Sequence, residues 1–127
     1  MKNRNLVVLV VEDSLMIITR IYRLLQELEN IKLVVHAANY AESMKMIIGM
    51  NIDVVLLDIN LPDKSGIELL QEIKSSHPGI KVIMLTNHAS DNYREICTYM
   101  GADYFLDKSN EFEKIPEAIR TVNLQYS

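Results

Sequence analysis

The sequence has one cysteine, Cys97, and no tryptophan. A single thiol excludes an internal disulfide and a cysteine-built metal centre, and it fits a reducing compartment. Only four glycines are present, and none forms the glycine-rich loop that cradles phosphates, which argues against nucleotide or flavin binding. No apolar run approaches the ~20 residues needed to cross a bilayer. The opening "MKNRNLVVLVVEDS" pairs two basic residues with a short apolar run, but that run ends in acids without a small-residue cleavage site, unlike a secretory leader. A cytoplasmic protein without membrane contact is expected. A basic excess is missing too: 13 Lys and Arg stand against 17 Asp and Glu, a net charge of -4. Direct nucleic-acid contact normally leaves a basic footprint, so none is expected from this chain. His36, His77 and His88 are scattered without metal-ligand spacing; His36 reads as a half-buried strand residue.

What is there is a regular alternation. With 127 residues, 49% of them hydrophobic and 24% charged, the chain fits one globular domain over residues 1–127. Short apolar runs fall at Leu6–Val11, Lys32–His36, Val54–Leu57, Lys81–Leu85 and Tyr104–Leu106. The first, third and fourth are almost continuous in Val, Ile and Leu, as in parallel strands covered on both faces. Between them lie helical patterns. Ser14 precedes a stripe of Ile18, Ile21, Tyr22, Leu25 and Leu28. Asn39 precedes one of Ala41, Met44, Ile47 and Ile48. Met46 and Met50 read as exposed there. Ser65 and Glu68 have capping-box spacing ahead of Leu69, Leu70 and Ile73. Ser90 precedes Tyr93, Ile96, Cys97 and Met100, with Gly101 at the C-terminal cap. A fifth helix places Ile115, Ile119 and Val122 inward and begins near Pro116, which the first turn tolerates, after a looser turn at 110–114. Five strand–helix units predict an α/β, doubly wound (βα)5 domain with a parallel sheet.

Ligands of open α/β sheets gather at the carboxyl ends of the strands. Those ends carry Glu12 and Asp13, then Asp58, then Thr86, and the last leads to Lys108. Three acids on one edge repel strongly without a counter-ion. A hard divalent cation such as Mg²⁺ takes carboxylate and water oxygens, and it is the expected partner of the acids in place of a salt bridge. Blander readings exist for each residue: a helix cap for Glu12 or Asp13, a core hydroxyl for Thr86, a surface amine for Lys108. Their joint placement at one edge, in order, favours a site.

The stretches "VVEDS", "VVLLDINLPDKSGIELL", "VIMLTN" and "GADYFLDKS" resemble the receiver domain of two-component response regulators, over essentially the whole chain. The resemblance implies a flavodoxin-like sheet of order 2-1-3-4-5. It implies Asp58 as phosphoacceptor, attacking a phosphohistidine to give an acyl phosphate. Asp13 would ligate Mg²⁺ directly, with Mn²⁺ as a substitute. Glu12 would act through water, and the Asn60 backbone carbonyl would be a further ligand. Lys108 would pair with the phosphorylated aspartate and Thr86 would donate to a phosphoryl oxygen. Phe105 aligns with the family's switch aromatic, expected to move from outward to inward; a plain core Phe is the alternative. Asn60 and His88 match positions that tune phosphoryl lifetime. Expected partners are a sensor histidine kinase or phosphotransfer protein and a downstream protein or output domain. The readout surface would be helix 4, strand 5 and helix 5, with phosphorylation-dependent homodimerisation as a further expectation. Ser109 departs from the family's common proline, and "KS" is closer to receivers of nitrate-regulator-type helix-turn-helix proteins. The competing functions are a receiver-fold interaction module that needs no phosphate, and a small phosphatase-like hydrolase using Asp58.

Overall fold

The computed structural model describes residues 4–87 and 90–126. Its strands are β1 (Leu6–Val11), β2 (Ile31–Ala37), β3 (Val54–Leu57), β4 (Lys81–Thr86) and β5 (Tyr104–Asp107). The helices are α1 (Leu15–Leu25), α2 (Tyr40–Gly49), α3 (Gly66–Ser76), α4 (Asp91–Tyr99) and α5 (Ile115–Leu124), the last preceded by a 3-10 turn at Phe112–Lys114. All strand pairs are parallel and the order is β2-β1-β3-β4-β5. This is the flavodoxin-like arrangement.

The alternation of side chains along each strand divides the core in two. Leu9, Val11, Val55, Leu57, Val82, Met84 and Phe105 pack on the face that carries Ile47, Leu69, Ile73 and Cys97 from α2, α3 and α4. Val8, Val10, Leu56, Ile83, Leu85 and Leu106 pack on Ile21, Leu25, Ile115, Ile119 and Val122 from α1 and α5. The inner strands are apolar along Leu6–Val11, Val54–Leu57 and 82–85 because both faces are covered. The outer strand β2 is exposed at Lys32, Leu33 and His36, so His36 is not the half-buried residue expected.

The helix starts follow their caps. The side chains of Ser14, Asn39, Ser65 and Ser90 each accept a backbone N–H from the first turn of their helix, and Ser65 with Glu68 completes a capping box. Gly101 takes the left-handed turn after α4, with φ 101°, a conformation other residues adopt at a cost. Two helix faces differ from their stripes. Ala41 and Ile48 of α2 are exposed, while Ser43 is buried and Met46 and Met50 pack on the core. On α4 only Cys97 is buried; Tyr93 and Ile96 face outward. α4 lies beside the outermost strand, so one narrow row of side chains has sheet beneath it. Burial pushes the Cys97 thiol pKa up, which keeps it a neutral core group.

Candidate functional site

Burial on β1 continues one residue past the strand. Glu12 is 3% exposed, whereas Asp13 is exposed. The Glu12 amide still donates to Ala37 O (3.0 Å), and each of its carboxylate oxygens accepts a hydrogen bond. Oε2 accepts from the Ser14 N–H (3.0 Å) and Oε1 from Lys108 Nζ (2.7 Å). Asp58 follows β3 and is 9% exposed. Its Oδ2 accepts from Lys108 Nζ (2.8 Å) and its Oδ1 from the Asn60 N–H (3.2 Å). Lys108 follows β5, and its amide donates to Thr86 O at the end of β4 (2.9 Å). Thr86 is completely buried.

The structure therefore brings Glu12, Asp58 and Lys108 into direct contact, with Thr86 and Asn60 tied in through backbone. A salt bridge that the sequence reading leaves out is present here: one ammonium bridges two acids. Buried carboxylates demand a partner, and an ammonium has three donors to give. Burial alone would lower the Lys108 pKa, but its bonds to Asp58 and Glu12 and their charges outweigh burial and raise it. The amine is firmly charged.

The three acids do not converge as one cluster. Among the described residues, no group of three or more His, Cys, Asp or Glu side chains has the makings of a metal site. Both oxygens of Glu12 are committed to Lys108 and Ser14. Asp58 is bonded at both oxygens too, by Lys108 and the Asn60 N–H, but it is less buried than Glu12, so the candidate ligands are the exposed Asp13 carboxylate, the Asp58 carboxylate and the Asn60 carbonyl. That set fits Mg²⁺, which commonly keeps several waters and takes one or two carboxylates.

Phe105 sits opposite Met84 in the β4–β5 pairing, three residues before Lys108. It is 6% exposed, so the outward position expected before phosphorylation is not the one seen. The Arg94 guanidinium covers the ring at 4.7 Å from its centroid. His88 lies outside the described residues.

Two residues that shape the site were not singled out from the sequence. A Cβ on Gly66 would lie 1.9 Å from the Asp58 carbonyl oxygen; the start of α3 is pressed against the backbone of Asp58, and the Gly66 amide bonds Ile59 O (2.6 Å). Asp63 reaches from the same loop to the start of α2, where it accepts from the amides of Tyr40 (2.9 Å) and Ala41 (3.1 Å). Those bonds hold its carboxyl below the usual range. A glycine inside a capped helix start and an acid in a turn carry no signal of such distant partners.

The sequence model of the response regulator receiver domain matches residues 8–120. The chain belongs to the response regulator receiver domain family. This receiver domain is 32% identical over 115 residues to response regulator GacA of Pseudomonas viridiflava, covering 91% of this chain and 54% of that protein. Against sensory transduction protein LytR of Staphylococcus haemolyticus it is 31% identical over 119 residues, 94% of this chain and 46% of that protein. The receiver domain thus spans about half the length of the curated relatives it matches. A LuxR-family DNA-binding response regulator from Staphylococcus aureus superposes with TM-score 0.83 at 30% identity, covering 93% of this chain and 98% of that one. A chain of the CheX–CheY–BeF3–Mg²⁺ complex from Borrelia burgdorferi superposes with TM-score 0.84 at 26% identity, covering 92% and 88%. Receiver domains are modules of two-component signal transduction. Among the described residues no helix is long and apolar enough to cross a membrane.

Proposed function

We propose that the chain is a phosphorylatable switch, one receiver domain over residues 1–127, whose Asp58 accepts a phosphoryl group from a histidine kinase or phosphotransfer protein. The observation that carries this reading is the arrangement at Asp58: a carboxylate at a strand end, 9% exposed, with Lys108 against one oxygen and a backbone N–H against the other. A carboxylate oxygen attacks phosphorus, the P–N bond of the phosphohistidine breaks, and the imidazole leaves with the bonding pair. Phosphoryl transfer asks chiefly for positioning and charge neutralisation. Lys108 is placed to turn from the free carboxylates to the phosphoryl oxygens, and the Thr86 hydroxyl donates to one of them.

Glu12, Asp13 and Asp58 outnumber Lys108 in charge before any phosphoryl oxygen arrives. Asp13, Asp58 and the Asn60 carbonyl would hold Mg²⁺, with Mn²⁺ as a substitute and Glu12 acting through water. Bound there, the ion supplies positive charge beside the phosphoryl oxygens. The phosphoryl group carries about -1.5 to -2 where the Asp58 carboxylate carried a single negative charge, and this change is read out by α4, β5 and α5 to a downstream protein or an output domain, or through homodimerisation. The setting is the cytoplasm. The DNA-binding description of the Staphylococcus aureus relative supports a DNA-directed output carried by another domain. Asn60 and His88 tune the lifetime of the acyl phosphate.

An interaction module working without phosphate has less support. Replacing a buried ion pair by apolar residues is often neutral or stabilising, so a docking module gains nothing from keeping Lys108 between two acids. A phosphatase-like hydrolase needs a second acid near Asp58 as proton donor; the neighbouring acid, Glu12, accepts from Lys108 and from the Ser14 N–H on its two oxygens, so it is arranged as an acceptor rather than a donor. The test is a beryllofluoride titration with Mg²⁺, followed by NMR. Shifts at Thr86, Phe105 and α4 are expected in the wild type and not in Asp58→Asn. No response in the wild type, or an equal one in the variant, overturns the reading.

A further inference from the structure

Among the described residues β5 is the last strand of the sheet and pairs with β4 alone. Open strand edges present unpaired backbone groups. Here two such groups find side chains. The Phe105 carbonyl accepts from Arg94 Nη1 (3.1 Å), and the Asp107 N–H donates to Glu111 Oε1 (2.9 Å). Arg94 Nη2 and Glu111 Oε1 then meet at 3.4 Å, and the guanidinium carbon lies over the Phe105 ring. Arg94 comes from α4, whose one buried side chain is Cys97. Glu111 comes from the turn that leads into α5, and its amide bonds Asp107 O (2.7 Å).

The intervening loop is bonded to the same strand end. Ser109 N–H donates to Asp107 Oδ1 (2.9 Å) and Asn110 Nδ2 to Asp107 Oδ2 (3.0 Å). The Ser109 hydroxyl bonds Asn87 Oδ1 (3.3 Å) in the loop after β4. Proline at position 109 would have no N–H for the first of these bonds. Lys108 sits inside this loop.

We propose that Arg94 and Glu111 form a clasp that closes the open edge of β5 and makes them positioning residues for Lys108 and Phe105. The pair occupies the hydrogen-bonding places of a further strand and joins α4 to the strand and loop that carry both residues. A change in Lys108 or Phe105 therefore reaches α4 through Arg94, and a partner that displaces α4 reaches Lys108 by the same route. The clasp itself is a property of the unphosphorylated protein, while its use as a relay rests on the phosphorylation reading above.

The test compares wild type with Arg94→Met, Arg94→Lys and Glu111→Gln. Hydrogen exchange and ring signals of Phe105 are read by NMR in the unphosphorylated protein, then the phosphorylation rate by phosphoramidate with Mg²⁺. Losing a charge-assisted bond at a half-exposed site corresponds to about three- to tenfold in a local equilibrium. Arg94→Met is expected to speed exchange across α4 by that factor, shift the Phe105 ring signals and slow phosphorylation, with the global unfolding midpoint nearly unchanged. Arg94→Lys keeps the charge without the planar fork and is expected to rescue only partly. Glu111→Gln keeps an acceptor for the Asp107 amide, so that amide stays protected while α4 loosens. Unchanged α4 exchange and Phe105 signals in Arg94→Met overturn the clasp, whatever the phosphorylation rate. If those signals move but the wild type takes up no phosphoryl group, the clasp stands and the phosphorylation reading fails.

Discussion

Lys108→Met removes the ammonium and keeps much of the side-chain volume. In the wild type Nζ lies 2.7 Å from Glu12 Oε1 and 2.8 Å from Asp58 Oδ2, and the three side chains are 8%, 5% and 11% exposed. At an effective dielectric constant of about 20, each contact amounts to roughly 6 kcal/mol of gross attraction. Desolvating the three ions cancels most of that sum, so the net worth of the network is small. Taking away the cation alone is different, because two buried carboxylates are then left facing each other. Breaking a buried pair in this way typically costs about 3–5 kcal/mol. Urea unfolding of Lys108→Met at neutral pH with a chelator present should show a loss of about 3 kcal/mol, with an unchanged dependence on urea. The alkaline limb should change as well. Lys108 has a raised pKa in the folded state, so the stability it lends is complete below the unfolded lysine value of about 10.4 and fades as pH rises through the folded value. Wild type should lose stability in that range and the variant should lose less. A loss under about 1 kcal/mol, the range of exposed pairs, with parallel alkaline limbs, would refute the buried ion-pair argument.

Asp13→Ala should weaken Mg²⁺ binding, measured by calorimetry, more than Glu12→Ala, since both Glu12 oxygens are already engaged. Glu12→Ala should instead lower stability, by roughly 2 kcal/mol in urea unfolding, because it leaves the half-buried Ser14 amide and part of the buried Lys108 ammonium unsatisfied; the reverse ranking contradicts the division of roles. Gly66→Ala forces a methyl to within 1.9 Å of the Asp58 carbonyl and should cost at least about 2 kcal/mol and slow phosphorylation of Asp58. Stability within about 0.5 kcal/mol of wild type would show that α3 does not press on Asp58. Asp63 has a depressed pKa, first through the Tyr40 amide, so its contribution is present above the unfolded aspartate value and lost as pH falls through the folded one. Asp63→Asn should flatten that acid limb in urea midpoints taken between about pH 5 and pH 2, and an unaltered limb would deny the cap across to α2.

The inner strands were legible because parallel strands covered on both faces leave unbroken apolar runs, and "DVVLLD" shows where such a run stops. Their order at one sheet edge brought Asp58, Thr86 and Lys108 together before any coordinates. The different fates of Glu12 and Asp13 were not legible. Adjacent residues point to opposite sides at a strand end, and nothing local says which side stays buried. The outward turn of Tyr93, Ile96 and Ile48 was missed because a helix beside the margin of a sheet buries a narrower stripe than its apolar residues suggest. Arg94 and Glu111 are 17 residues apart, and their meeting depends on how α4 lies on β5. Gly66 was hidden in plain view, since its role is set by the backbone of Asp58 passing beside it.

The central claim is that Asp58 receives a phosphoryl group. Incubating the protein with Mg²⁺ and acetyl phosphate, then locating the adduct by mass spectrometry of peptides kept at low pH, measures this directly. An acid-stable, base-labile adduct on Asp58 is expected, absent without Mg²⁺ and absent in Asp58→Asn. No adduct on the wild type, or an equal adduct on Asp58→Asn, would contradict it.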